Sequence, residues 1–207
     1  MEKKYKCIGL LARQHGLAVL NELTKNNSNF HFTSIFTHKF NPKIYDPECN
    51  IRDDFADYQK LTQIHNIPLF TIDSVNEKSK LEKFVKNNEF DFLISVSWRY
   101  LISPQVFEKA KIGSFNIHRG DLPKYAGVEP IKRALNNNET KIAVTSHKIS
   151  KDIDQGQILS KIYHNVNFDQ NNSLEKNVER LKKEITPYFV ELNMQSLEKL
   201  LEEFNDK

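Results

Sequence analysis

The chain has 207 residues, of which 39% are hydrophobic and 28% charged, enough apolar material for one ordinary domain and too much for a disordered chain. Its formal charge is only +3, and lysines alternate with Glu and Asp instead of forming blocks, so no nucleic-acid partner is expected. Cys7 lies in an apolar run and Cys49 in a polar stretch, without metal-ligand or disulfide spacing, and the apolar run behind residues 1–6 is too short for a secretory or membrane-spanning segment. These features predict a soluble cytoplasmic protein with no metal and no membrane partner.

In chain order, residues 5–11 read as a buried strand, and residues 14–25 as a helix with Leu17, Leu20 and Leu23 on one face. The turn between them is where a nucleotide-binding fold places a glycine-rich phosphate loop, but it contains only Gly16. Arg13 and His15 read there either as phosphate contacts or as solvated surface charge. Residues 30–36 suit a second strand, and residues 37–50, with Pro42 and Pro47, form an irregular loop long enough to cover a site. A helix over 53–66, a strand over 67–72 and a capped amphipathic helix from Asp73-Ser74 to residue 88 follow. The most apolar strand of this half, 90–97, ends in a turn carrying Trp98 and Tyr100, either core aromatics or part of a site, before a short helix.

Residues 113–127 organise the rest. A short strand ends on Asn116 and His118, two apart and therefore on one face, and then breaks at Gly120, Pro123 and Gly127. The pair reads as a reaction centre or as strand-end polar groups. Pro130 suits the first turn of a helix, and strands over 142–149 and 156–166 are joined at Asp152-Ile153-Asp154 as a hairpin or close crossover. Asn172-Ser173 with Glu175 opens a helical tail, interrupted near Pro187 and running to about residue 204. Alternating strands and helices predict an α/β fold, a mainly parallel sheet with helices on both faces. In such sheets ligands bind beyond the carboxyl ends of the strands, where Arg13, Trp98, Asn116 and His118 all fall.

Asn116-Ile117-His118, then Leu122-Pro123-Lys124-Tyr125-Ala126-Gly127, then Asp154-Gln155-Gly156 on a later loop, resemble the 10-formyltetrahydrofolate-dependent formyltransferases. The resemblance is strongest over residues 90–163. It implies the Rossmann-like formyltransferase fold, with residues 1–170 as catalytic domain and 171–207 as a helical extension packed on it. It also implies a catalytic trio of Asn116, His118 and Asp154, and 10-formyltetrahydrofolate as co-substrate. The folate is expected at Trp98, Tyr100, Leu101 and Ile102 and at Ser150, Lys151 and Asp152, held largely by backbone groups; Asp152 also reads as a plain turn residue. The residue types suit the chemistry: an amide and an imidazole donate to an oxyanion, and a neutral imidazole takes a proton from an attacking amine.

Three departures bear on the acceptor. The glycine-rich loop of glycinamide ribonucleotide formyltransferases is missing, the chain is read as leaving no room for a tRNA-contacting domain, and no amino-terminal regulatory domain is seen. What remains is most similar to sugar N-formyltransferases, which implies a nucleotide-linked amino deoxysugar as substrate and a role in polysaccharide biosynthesis. Arg119, Tyr125, Glu129 and Lys132 are expected near the sugar and diphosphate, with Lys124, Arg13 and His15 as further cations. Glycinamide ribonucleotide, an aminoacyl group, and a non-catalytic folate- or nucleotide-binding role are the alternatives. Sugar formyltransferases frequently carry a carboxyl-terminal dimer element, which leaves a homodimer open.

Overall fold

The computed structural model describes residues 4–25 and 28–206. The expected lead-in at residues 1–3 and the last residue of the tail, 207, lie outside them. The chain divides into two compact units, Met1–Ser114 and Phe115–Lys207.

In the first unit, β1 (Tyr5–Leu11), β2 (Phe30–Thr37), β3 (Leu69–Thr71) and β4 (Phe92–Val96) pair in parallel, β1 with both β2 and β4, and β2 with β3. Strand β4 is apolar except for Ser95, and all five of its residues are buried. Helix α1 (Arg13–Leu23) packs on β1, β2 and β4 through Val19, Leu20 and Leu23, and α2 (Phe55–Ile64) packs against α1. Pro68 has no amide hydrogen to give a ladder, and β3 is shorter than the six residues 67–72 expected from sequence.

Ser74 and Glu77 form a reciprocal capping box, as the sequence suggested, but the segment starts as a 3-10 turn, Val75–Glu77, before α3 (Lys78–Lys86). The 37–50 loop is irregular, as expected, with one isolated bridge from Phe40 to Ile51. Asp73 Oδ1 accepts the amides of Lys39 at 2.9 Å and Phe40 at 3.0 Å, so the loop's first residues are tied down. A short helix α4 (Pro104–Phe107) follows β4.

In the second unit, β5 (Gly113–His118), β6 (Lys141–Lys148) and β7 (Ile158–Asn165) pair antiparallel, so the last two form the hairpin and not the crossover. Helices α5 (Pro130–Asn136), α6 (Leu174–Glu184) and α7 (Thr186–Asn205) complete it. Proline stands in the first turn of α4, α5 and α7, where its missing hydrogen costs nothing. Pro187 therefore opens the last helix at the break the sequence marked. Helix α7 packs on β6 and β7, burying Phe189, Leu192, Leu197 and Leu200. This mixed, mostly parallel α/β architecture with a helical carboxyl-terminal extension is the Rossmann-like fold the resemblance implied. No helix among the described residues is long and apolar enough to cross a membrane.

Candidate active site

The expected trio meets in the second unit. Strand β5 alternates so that Asn116 and His118 share its partly open face while Phe115 and Ile117 are buried. Antiparallel pairing sets Asn116 opposite His147 of β6, and Asn116 Nδ2 stands 3.2 Å from His147 Nε2. Asp154, on the β6–β7 connection, lies between the two rings. Its Oδ2 is 3.3 Å from His118 Nδ1, and its Oδ1 is 3.3 Å from His147 Nε2.

Local sequence explains this placement. Asp154 has φ +54, a left-handed conformation that Asp tolerates better than most residues and that turns its carboxylate back toward the strands. Two residues on, Gly156 lies so close to the Lys148 carbonyl that a Cβ would come within 1.7 Å of the oxygen, so the Asp-x-Gly spelling is a steric demand. Gly127, at φ +82, ends the Leu-Pro-x-x-x-Gly run and donates its amide to Asp154 Oδ2 at 2.9 Å. The two separated motifs thus meet at one carboxylate.

Hydrogen-bond partners assign the ring protons. His118 Nε2 faces the Tyr125 carbonyl at 2.8 Å and must donate to it, leaving Nδ1, toward Asp154, as the atom that gains a proton. His147 Nδ1 likewise faces the Lys148 carbonyl at 2.9 Å, and its Nε2 stands 3.2 Å from the Asn116 amide nitrogen and 3.3 Å from Asp154 Oδ1. Burial pushes the His118 pKa below the ordinary histidine value, against the upward pull of Asp154 and of the Tyr125 carbonyl. Burial pushes Asp154 upward, but the neighbouring His147 and His118 rings and the Gly127 amide together hold it below the usual carboxylate range. The arrangement is a neutral imidazole ready to accept a proton beside a carboxylate ready to pair with the resulting cation.

His147 was missed as a candidate. Its signal is a histidine on the strand opposite Asn116, visible only once the hairpin register is known.

The other candidates are distributed as follows. Tyr125 is buried, its hydroxyl donating to Glu139 Oε1 at 2.7 Å, so it reaches the centre through its carbonyl. Lys124 pairs with Glu139, and Lys132 stands 3.8 Å from Glu175. Glu129 is exposed at the amino end of α5, and Arg119 is half-buried next to His118. Ser150 Oγ donates to the Asp152 carbonyl at 2.9 Å in an exposed turn that also carries Lys151.

In the first unit, His15 is buried and Arg13 begins α1 at φ +60. Trp98 stacks on His38 at 4.3 Å and Tyr100 meets His38 edge-on at 5.3 Å. Leu101 is exposed, Ile102 is half-buried, and residues 97–103 carry no regular secondary structure, which suits recognition by backbone groups. Among the described residues no group of three or more His, Cys, Asp or Glu is placed to hold a metal.

Fold and site define a Rossmann-like α/β protein with a histidine–carboxylate centre behind a strand-end asparagine. A family model described as formyl transferase matches residues 12–190, and the chain belongs to that family. The methionyl-tRNA formyltransferase of Thermotoga maritima is 34% identical over 128 residues, 61% of this chain and 41% of that protein. The bifunctional polymyxin resistance protein ArnA of Wigglesworthia glossinidia brevipalpis is 31% identical over 132 residues, 64% of this chain and 19% of that one. The chain therefore spans less than half the length of these relatives. The crystal structure of phosphoribosylglycinamide formyltransferase from Bacillus halodurans superposes with a TM-score of 0.70 at 20% identity, covering 96% of this chain and 95% of the other; it establishes likeness of fold.

Proposed function

We propose that this chain moves a formyl group from 10-formyltetrahydrofolate to a primary amine, with His118, Asp154 and Asn116 at the reacting atoms. The carrying observation is the ion-pair geometry of His118 Nδ1 and Asp154 Oδ2 at 3.3 Å on a ring that burial keeps neutral. An amine attacking a formyl carbon loses a proton while negative charge grows on the formyl oxygen. His118 accepts that proton at Nδ1, and Asp154 stabilises the imidazolium so formed. Asn116, held by His147, offers an amide to the oxyanion. The folate supplies the activated formyl carbon; collapse of the tetrahedral species breaks the bond between that carbon and the folate nitrogen, and the proton held at His118 Nδ1 passes to the departing nitrogen. The turn at residues 98–102 and the loop at 150–152 are the proposed folate-holding segments, each through backbone groups.

For the acceptor, we favour an amine such as that of glycinamide ribonucleotide over the nucleotide-linked amino sugar that the sequence resemblance implied. Support comes from structural neighbours named as phosphoribosylglycinamide formyltransferases, which share the fold over 96% and 94% of this chain. An aminoacyl acceptor is the second reading, favoured by the 34% identity to a methionyl-tRNA formyltransferase. The test is a mass-spectrometric assay with 10-formyltetrahydrofolate and a panel of glycinamide ribonucleotide, methionyl-tRNA and nucleotide-linked 3-amino and 4-amino deoxysugars, with His118→Ala as blank. A formyl mass gain on glycinamide ribonucleotide alone is expected. A gain only on the tRNA or on a sugar nucleotide reassigns the acceptor, and a gain that persists in His118→Ala rejects the proposed centre.

A further inference from the structure

Arg52 lies in the first unit, outside every motif the sequence displays. Its side chain is 3% exposed, and its Nε donates to Asp54 Oδ1 at 2.9 Å. Both terminal nitrogens, Nη1 and Nη2, are buried with no hydrogen-bond partner. A guanidinium is the side chain least able to shed its charge, so two unpaired buried donors on it call for an acceptor from outside the chain.

The surroundings identify that acceptor as an anion. The Arg52 guanidinium lies 5.4 Å over the Tyr58 ring, and the Tyr58 hydroxyl donates at 2.9 Å to the carbonyl of Arg13, first residue of α1. The Arg52 amide is bonded to the Lys39 carbonyl at 3.0 Å, next to His38, which accepts the Arg99 amide at 3.3 Å. His38 is pushed down to about 3, first by burial and then by Arg99, with Arg52 and Arg13 adding to the effect, so three cations from three chain segments act on one ring. Against these arginines stand two carboxylates: Asp54 on Arg52 Nε, and Asp73, which holds the amides of Lys39 and Phe40.

Thr37 Oγ1, at the end of β2, and Ser97 Oγ, just past β4, are also buried without partners. Helix α1 begins at the same sheet edge with no side-chain cap and no acidic residue in its first turn. The two hydroxyls and the first amides of α1 are hydrogen-bond donors at the carboxyl ends of parallel strands, where α/β sheets take their ligands.

We infer that Arg52, flanked by Arg13 and Arg99, anchors a phosphoryl-binding subsite in the first unit. Guanidinium forks and hydroxyls here take the place of the glycine-rich backbone loop that this chain lacks after β1. A phosphoryl group, with three acceptor oxygens, matches two guanidinium nitrogens plus a hydroxyl or amide better than the two oxygens of a carboxylate. The subsite stands whether or not the chain transfers formyl groups, because binding alone reports on it.

The experiment is calorimetric titration and thermal unfolding of the full chain with inorganic pyrophosphate, inorganic phosphate and glutarate at constant ionic strength. Comparison is made among wild type, Arg52→Met and Arg52→Lys. Pyrophosphate is expected to raise the wild-type midpoint, and Arg52→Met to weaken its binding roughly tenfold or more, the size of a lost charge-assisted pair. Without ligand, Arg52→Met is expected to unfold no earlier than wild type, since it removes unpaired buried donors. Arg52→Lys keeps the charge without the fork and is expected to lose most of the response, which preserves the test if the Met variant fails to fold. An unchanged pyrophosphate response in both variants, no response in wild type, or an equal response to glutarate overturns the assignment. An Arg52→Met protein that unfolds early yet still binds pyrophosphate would show Arg52 to be a structural cation.

Discussion

Burial and the Asp154 carboxylate pull His118 in opposite directions, and burial prevails, so the ring is neutral where an ordinary histidine would be half-charged. On the proposed mechanism kcat/KM falls as pH drops through this lowered pKa, because the base becomes protonated before substrate arrives. Asp154→Asn removes a group that favours the cation, so the acid limb of the profile is expected to move to still lower pH while the plateau drops. A limb that stays in place, measured as kcat/KM across pH 4 to 8, would separate Asp154 from the titrating base. His118→Ala is expected to lose about a hundredfold or more in turnover with the fold retained, the usual range for a general base. Far-UV circular dichroism beside the kinetics checks that the loss is chemical.

The three catalytic candidates were legible because each sits in a short motif whose spelling has a local cause: period-two alternation for Asn116 and His118, and steric closeness at Gly156 for Asp154. His147 was not, because its place depends on which residue of β6 faces Asn116, a pairing set by residues 31 apart.

Elements carry the site through their turns and caps. The β6–β7 connection passes under the Lys148 carbonyl, and Gly156→Ala must displace one backbone against the other. We expect it to cost about 2 kcal/mol or more in urea denaturation, in the class of mutations that strain a special backbone position, and to lower activity by moving Asp154. An unchanged midpoint would mean that the connection moves freely. Ser173 caps α6 by accepting the Lys176 amide at 3.2 Å, and Ser173→Ala is expected to lose about 1 kcal/mol, a normal N-cap effect, with no change in turnover. Both caps and turns were readable from sequence, since Gly, Pro and Ser act within a few residues. The 3-10 start of the helix after Ser74 was not, because the capping box satisfies the same donors in either geometry.

Across the whole chain, the two units differ in strand sense, parallel in the first and antiparallel in the second. Acid sensitivity is expected to concentrate at His38. Its folded pKa of about 3 is depressed from the ordinary 6.5, so the unfolded chain gains a proton there first as pH falls. The stability that its neutral form contributes is complete above the unfolded value of about 6.5 and is lost progressively down to about 3. His38→Gln is expected to flatten the stability–pH curve in that window. A variant curve parallel to wild type by denaturant titration would place the sensitivity elsewhere.

Strand and helix order, the strand-end asparagine and histidine, the Asp-x-Gly turn and the family resemblance could all be read from residue order, because local sterics and short-range periodicity dictate them. Long-range pairing was needed for the rest. It set the hairpin register that brings His147 to Asp154, the burial that holds His118 neutral, and the enclosure of Arg52 with two donors unpaired. Each depends on groups far apart in the chain excluding water from one another, and no local pattern encodes that.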